Sequence, residues 1–94
     1  MINEERLVRH FMKLVEISSP SGQEGAFRDY LINYFQERKA VCIEDQAGAM
    51  LEGNSGNLLV RIAGTADVQP LLFLTHMDTV FAGGEIKAEL GDDG

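Results

Sequence analysis

The sequence is poor in the residues that cross-link a fold, bind polyanions or cross a membrane. A single cysteine excludes an internal disulfide, which fits a reducing compartment. The chain has 8 Lys and Arg against 15 Asp and Glu, a formal charge of −7. Nucleic acid and anionic membranes need clustered basic residues and are not expected partners. No apolar run reaches the ~20 residues of a membrane span, and the acidic N-terminal residues are unlike a signal peptide. We therefore expect a cytoplasmic protein.

The remaining composition is that of a folded domain, with 45% hydrophobic and 24% charged residues, too apolar for a disordered chain. Apolar residues recur every three or four positions in residues 3–17 and in residues 21–39, which predicts two amphipathic helices. Asn3 is the expected cap of the first helix, and Ser21 with Glu24 has the form of a capping box for the second. Ser21 lacks the G-x-S-x-G setting of a nucleophile, so capping is its expected role.

Short apolar segments predict strands in the second half of the chain. Residues 41–45 and 57–63 are expected strands on either side of a Gly-rich turn or hairpin, and residues 85–90 form a further short strand. Residues 71–75, Leu-Leu-Phe-Leu-Thr, show no alternation of polar and apolar side chains, which is typical of a strand covered on both faces. Two helices followed by about four strands predict an incomplete α/β layer fold. These elements are too few to cover that strand, so we expect residues 1–94 to be the N-terminal part of a longer protein.

His76 and Asp78 are the strongest candidates for chemistry. In extended backbone, residues two apart point to the same side, so this pair faces one way. A carboxylate that accepts one ring N–H fixes the histidine tautomer and leaves the other nitrogen free for a metal. The pair directly follows an apolar strand, where α/β sheets bind their ligands. The alternative is an ordinary turn after a strand, because zinc needs three or four ligands and no second ligand cluster is evident.

Other reactive residues have ordinary structural explanations. Cys42 is expected to pack as a small hydrophobic residue, and His10 to lie partly exposed on the first helix. Asp92 and Asp93 are expected to be solvated in a turn. Residues 53–57 are Gly-rich but lack the Lys-Ser/Thr of a phosphate-binding loop, so a hairpin turn is the preferred interpretation.

Four segments together resemble a known family of enzymes. They are residues 17–25 (Ile-Ser-Ser-Pro-Ser-Gly-Gln-Glu-Gly), 44–48 (Glu-Asp-Gln-Ala-Gly), 55–61 (Ser-Gly-Asn-Leu-Leu-Val-Arg) and 71–80 (Leu-Leu-Phe-Leu-Thr-His-Met-Asp-Thr-Val). Their order and spacing are similar to the start of the zinc-dependent exopeptidases that include peptidase T, the aminoacylases and the succinyl-diaminopimelate desuccinylases. The resemblance covers nearly the whole chain and is closest to the peptidase T-like branch.

This resemblance implies a di-zinc metallopeptidase that hydrolyses short peptides, as a tripeptide aminopeptidase does, with a metal-activated water. Residues 1–94 would be the N-terminal part of its three-layer catalytic domain. His76 would bind one of two zinc ions, and Asp78 would orient it. The other ligands, the glutamate base and the small domain that serves dimerisation and closure over substrate come later in the family's chains. Asp92 and Asp93 come too early to be the family's bridging aspartate.

Two alternatives remain open beside the peptidase. One is a deacylase of the same family that acts on N-acyl amino acids, and the other is a non-catalytic binding or assembly domain on the same scaffold. No residue can be assigned to substrate binding. The 94-residue chain alone is expected to be inactive, poorly stable and a weak zinc binder, because one histidine with an orienting acid is not a closed site.

Overall fold

A computed structural model describes residues 2–79 and 86–91. Those residues form three helices and a two-stranded antiparallel sheet, which makes a small mixed α/β arrangement. The α/β class is confirmed at this level, as are the two N-terminal helices. None of the helices in the described residues is long and apolar enough to cross a membrane. In chain order the elements are α1 Glu4–Val15, α2 Gly25–Gln36, β1 Val41–Glu44, α3 Ala47–Met50 and β2 Leu58–Arg61.

Helix α1 begins as its sequence predicts. The Asn3 side chain accepts a hydrogen bond from the Arg6 amide at 3.0 Å, which satisfies one of the free N–H groups of the first turn. Near its middle, α1 meets α2 through aromatic contacts. The His10 ring stacks on the Tyr34 ring with 4.5 Å between centroids, so His10 is half-buried and has a packing role.

The predicted capping box of the second helix is wrong. Helix α2 begins at Gly25, its N-cap Glu24 makes no side-chain cap bond, and Ser21 lies in a separate turn before it. The Gly25 amide is instead bonded at 2.8 Å to Oδ1 of Asn54, 29 residues further along the chain. A cap supplied by tertiary structure has replaced the local one, because the preceding turn carries Ser21 away from the helix end.

Strands β1 and β2 pair in antiparallel register, with Cys42 opposite Val60 and Ile43 opposite Leu59. Helix α2 packs against β1, and Cys42 is half-buried there, as expected for a small apolar residue. The connection between the strands runs over residues 45–57, of which residues 47–56 are predicted as a Gly-rich turn or hairpin. It does join antiparallel neighbours, but it contains the short helix α3.

The predicted strand at residues 71–75 is wrong. The apolar run, defined here as residues 71–74, forms no strand, and its side chains are 72% to 87% exposed. A strand needs hydrogen-bond partners on a neighbouring strand, and the described sheet has only β1 and β2. Within residues 2–79 and 86–91 no hydrophobic side chain is fully buried. The side chains of the apolar run are therefore not covered by any other residue of the part of the chain that the structure describes.

The predicted strand at residues 85–90 is also not formed in its described part. Residues 86–90 have no regular structure, and the Ala88 amide bonds to a carboxylate oxygen of Glu16 at 2.9 Å. A side chain at the end of α1 thus takes the place of a neighbouring strand. Glu85, Asp92 and Asp93 lie outside the described residues.

Candidate functional site

The segment that carries His76 and Asp78 is bound to the loop between α1 and α2. The Thr79 amide donates to the Ser19 carbonyl at 2.8 Å, and Pro20 and Thr79 form an isolated parallel bridge. Ser19 is only 3% exposed, so the bond lies in a protected place. The end of the apolar run is therefore anchored, although the run itself is unpaired.

His76 and Asp78 face each other, as their spacing predicts. His76 Nδ1 lies 2.9 Å from Asp78 Oδ1 and 2.9 Å from the Asp78 backbone oxygen. Both neighbouring atoms are acceptors, so a neutral ring carries its proton on Nδ1 and has its lone pair on Nε2. The His76 side chain is 81% exposed and that of Asp78 31%. The free nitrogen of the ring is therefore accessible from solvent.

Ser21 is the member of the site that sequence reasoning missed. Its hydroxyl donates to Oδ2 of Asp78, so both carboxylate oxygens are occupied. The Ser21 hydroxyl is the main cause that lowers the pKa of Asp78 below its ordinary value, and the bond to His76 lowers it further. The sequence marks a turn at Pro-Ser-Gly, but no local pattern indicates a partner 57 residues away.

A serine, an aspartate and a histidine in one chain of hydrogen bonds invite comparison with a hydrolase triad. In a triad the imidazole stands in the middle, because it must remove the proton of the serine hydroxyl. Here the carboxylate of Asp78 stands in the middle, and Ser21 donates to it rather than to His76. The arrangement leaves Ser21 without the imidazole base of a triad, and the atom left free to bind a ligand is the outer nitrogen of His76.

The donor set fits part of a zinc site. Imidazole nitrogen is a normal zinc ligand, and a histidine whose other nitrogen is held by a carboxylate is the usual form of that ligand. Among residues 2–79 and 86–91, no three His, Cys, Asp or Glu side chains are grouped to hold a metal ion. The described chain therefore supplies one ligand, His76, and its orienting acid, Asp78.

A second polar cluster lies where β1 ends. Glu44 Oε2 accepts from Arg28 Nη1 at 2.9 Å and from the Gly56 amide at 2.8 Å. The Gly56 amide is the main cause that lowers the pKa of Glu44, followed by Arg28. Arg28 also donates to the Asn54 carbonyl at 2.9 Å. These bonds tie α2 to the connection between the strands.

Asp45 organises the same connection from the other side. Its Oδ1 accepts from the Asn57 amide at 2.8 Å and the Ala47 amide at 3.0 Å, and its Oδ2 accepts from the Asn57 side chain at 2.9 Å. The Asn57 side chain is the main cause that lowers the pKa of Asp45. An open cleft of about 300 Å³ lies beside these residues. Its charged groups are bonded within the protein, which makes the cluster structural.

Comparison with known proteins adds one relative without a described activity. The chain is 32% identical over 87 residues to "Uncharacterized protein YqjE" of Bacillus subtilis (strain 168). The match covers 93% of this chain but 24% of that protein, so the chain spans about a quarter of the length of the curated relative. No family model matches the chain, and no solved structure matches it.

Proposed function

We propose that this chain is the N-terminal part of the catalytic domain of a zinc-dependent exopeptidase, closest to the peptidase T-like branch. The observation that carries the proposal is the His76–Asp78 pair, with Nδ1 held at 2.9 Å and the ring exposed. This is the form in which histidine serves as a zinc ligand. The resemblance of residues 17–25 and 71–80 to that family supports the same assignment.

In this function His76 binds one of two zinc ions through Nε2, and Asp78 holds the proton on Nδ1. When bound, zinc polarises a scissile carbonyl and acidifies a water, which is the chemistry of metal-assisted hydrolysis. Asp78 is ionised at neutral pH, since its pKa lies below the ordinary value. An ionised carboxylate accepts the Nδ1 proton of the neutral ring, which leaves the lone pair of Nε2 for a cation.

The remaining parts of the enzyme belong to a longer protein. The curated relative is about four times the length that this chain covers, which leaves room for the other ligands, the glutamate base and a second domain. We propose short peptides as substrates, a cytoplasmic location and a homodimer formed through that second domain. One cysteine and an acidic composition support this location.

A non-catalytic binding or assembly domain on the same scaffold is the second candidate. The observation that favours it is the exposed apolar surface. One face of the sheet, which carries Val41, Ile43 and Leu59, is exposed as well as the apolar run. Surfaces of this kind mark contacts with other polypeptide segments. This alternative requires no metal at His76, so metal content separates the two candidates.

The deciding experiment measures zinc content and hydrolysis in the longer protein, with His76→Ala compared against the control His10→Ala. We expect two zinc ions per subunit and cleavage of a tripeptide in the unaltered protein, with one zinc and nearly all activity lost in His76→Ala. Cleavage of an N-acyl amino acid instead would identify the deacylase. A protein that binds no zinc and hydrolyses neither substrate would support the binding domain.

A further inference from the structure

We propose that Ser21 is a positioning residue that holds the Asp78 carboxylate in the orientation which keeps His76 ready to bind a metal. The metal-binding part of this statement rests on the proposed function, whereas the orientation of the ring can be tested without it. The Ser21 hydroxyl donates to Oδ2 of Asp78, and Nδ1 of His76 lies 2.9 Å from Oδ1. Ser21 therefore acts on the ligand only through Asp78.

The first step of the argument concerns the carboxylate itself. Asp78 is about one-third exposed, so water can compete for both oxygens and the group can rotate about its last bond. A hydroxyl on Oδ2 occupies the second oxygen and opposes this rotation. Oδ1 then remains directed at the imidazole. A carboxylate held by the ring alone would exchange its two oxygens and its water contacts freely.

The second step concerns what holds Ser21 in place. Residues 20–23 form a turn closed by a 2.8 Å bond from the Gln23 amide to the Pro20 carbonyl. Gly22, at the third position, has φ of 83°, which glycine adopts without strain. The Gly22 carbonyl also accepts from the Asn54 amide at 3.0 Å. The turn is thus fixed by backbone bonds on both sides of Ser21.

The third step separates positioning from folding. The loop and the segment that carries Asp78 are already joined by the backbone bond from Thr79 to Ser19. The side-chain bond from Ser21 to Asp78 lies beside that backbone pair. Removal of one exposed hydroxyl leaves the backbone pair in place, so the change acts on the orientation of the carboxylate. This makes the role of Ser21 distinguishable from a structural one.

The chemical consequence falls on the two nitrogens of His76. With the carboxylate fixed, the neutral ring carries its proton on Nδ1. With the carboxylate free to rotate, Nδ1 keeps the Asp78 backbone oxygen at 2.9 Å as its steady acceptor, and a larger part of the population carries the proton on Nε2, where it blocks the nitrogen that would bind a metal. Ser21 contacts Asp78 and acts on His76 only through it, so loss of the Ser21 hydroxyl should reduce metal affinity less than loss of Asp78 does. We expect a reduction of about 3- to 10-fold.

The test is ¹⁵N NMR of the imidazoles in the chain at about pH 8, above the ordinary histidine pKa of about 6.5. Ser21→Ala is compared with Ser21→Thr, which keeps the hydroxyl, and with Ser18→Ala, an exposed serine of the same loop. We expect an Nδ1–H ring at His76 in the unaltered chain, in Ser21→Thr and in Ser18→Ala. In Ser21→Ala the signals should move toward a mixture of both tautomers, while His10 stays unchanged as an internal reference.

Two further readouts make every outcome decisive. Exchange of the Thr79 amide should be the same in Ser21→Ala as in the unaltered chain, and its loss would show a structural role and overturn the proposal. An unchanged His76 tautomer in Ser21→Ala would overturn it as well. Titration of the longer protein with Zn²⁺ alone then tests the proposed function separately, because the 94-residue chain by itself is expected to bind zinc weakly. A tautomer change in Ser21→Ala, together with no zinc binding at His76 in the longer protein, would leave the positioning role intact and count against the metallopeptidase.

Discussion

Two segments of this chain differ in how their side chains find partners. One is the connection between the strands, residues 45–57, and the other is the apolar run. In residues 45–57, carboxylates and amides are bonded to one another within about a dozen residues, as Asp45 is to Asn57. In residues 71–74, four large side chains are exposed and no strand forms. Polar groups in a connection of this kind can form hydrogen bonds with one another within the same segment. An apolar strand depends on surfaces that must come from elsewhere.

The candidate site is linked to one of these segments by sequence and to the other by hydrogen bonds. His76 and Asp78 follow the apolar run after Thr75, but their position is set by the loop at Ser19 to Gly22. That loop is in turn bonded to Asn54 of the connection. The position of the site therefore depends on the connection between the strands, residues 45–57, and not on the apolar run that precedes the site.

The largest effect should come from Gly48→Ala, which disrupts the packing of the connection between the strands. A Cβ at Gly48 would overlap the Ser55 carbonyl oxygen, and backbone must move to relieve that contact. We expect the connection to lose about 2–3 kcal/mol, measured by urea titration of its amide signals. Gly64→Ala is the matched control, since nothing lies within 4 Å of its Cβ. Equal effects of the two substitutions would mean that the close approach at Gly48 does not stabilise the connection.

The next prediction tests whether zinc binding at His76 depends on Asp78, the acid that the loop holds in place. In the longer protein, Asp78→Ala should reduce zinc affinity by about 10- to 100-fold, because the imidazole loses the acid that fixes its tautomer. Zinc titration against a competing chelator measures the change. Asp67→Ala, an exposed aspartate in the loop before the apolar run, should leave the affinity unchanged. Unaltered affinity in Asp78→Ala would remove the orienting role.

A third experiment concerns the exposed apolar run. Because the run is exposed, we expect the chain to self-associate through it, and Leu72→Glu/Leu74→Glu should weaken that association by about tenfold or more, since each buried leucine contributes about 1.5–3 kcal/mol. Sedimentation equilibrium measures the effect. Ile62→Glu/Val68→Glu adds the same charge at exposed residues outside the run. If that control were equally effective, added charge rather than the run would account for the change.

The smallest effect is the acid response of the connection. The pKa of Glu44 is lowered in the folded chain by the Gly56 amide and Arg28. Its stabilisation is therefore present above the unfolded pKa of about 4.3 and is lost as pH falls through the lower folded value. The protection of the Gly56 amide, its exchange rate relative to an unfolded peptide at the same pH, should fall over this acid range, and less steeply in Glu44→Gln. A flat profile in the unaltered chain would contradict the assigned cause.

Sequence patterns predicted the parts of the fold that depend on neighbours along the chain. The Asn3 cap, helices α1 and α2, the strands on either side of residues 45–57 and the His76–Asp78 pair all involve partners a few residues apart or a clear period. The predicted capping box failed because helix α2 begins at Gly25, and Ser21 lies in a separate turn where its hydroxyl donates to Asp78. Asn54 caps Gly25 across 29 residues, and no local pattern carries that information.

The amino-acid order by itself determined the helical periods, the apolar character of residues 71–74 and the orientation that places His76 and Asp78 on one side. Only the tertiary structure decided that Ser21 donates to Asp78, that Asn54 caps α2 and that the apolar run stays exposed. The physical reason is distance along the chain. Hydrogen bonds within a turn follow from local backbone geometry, whereas contacts over tens of residues exist only once separate segments have been brought together.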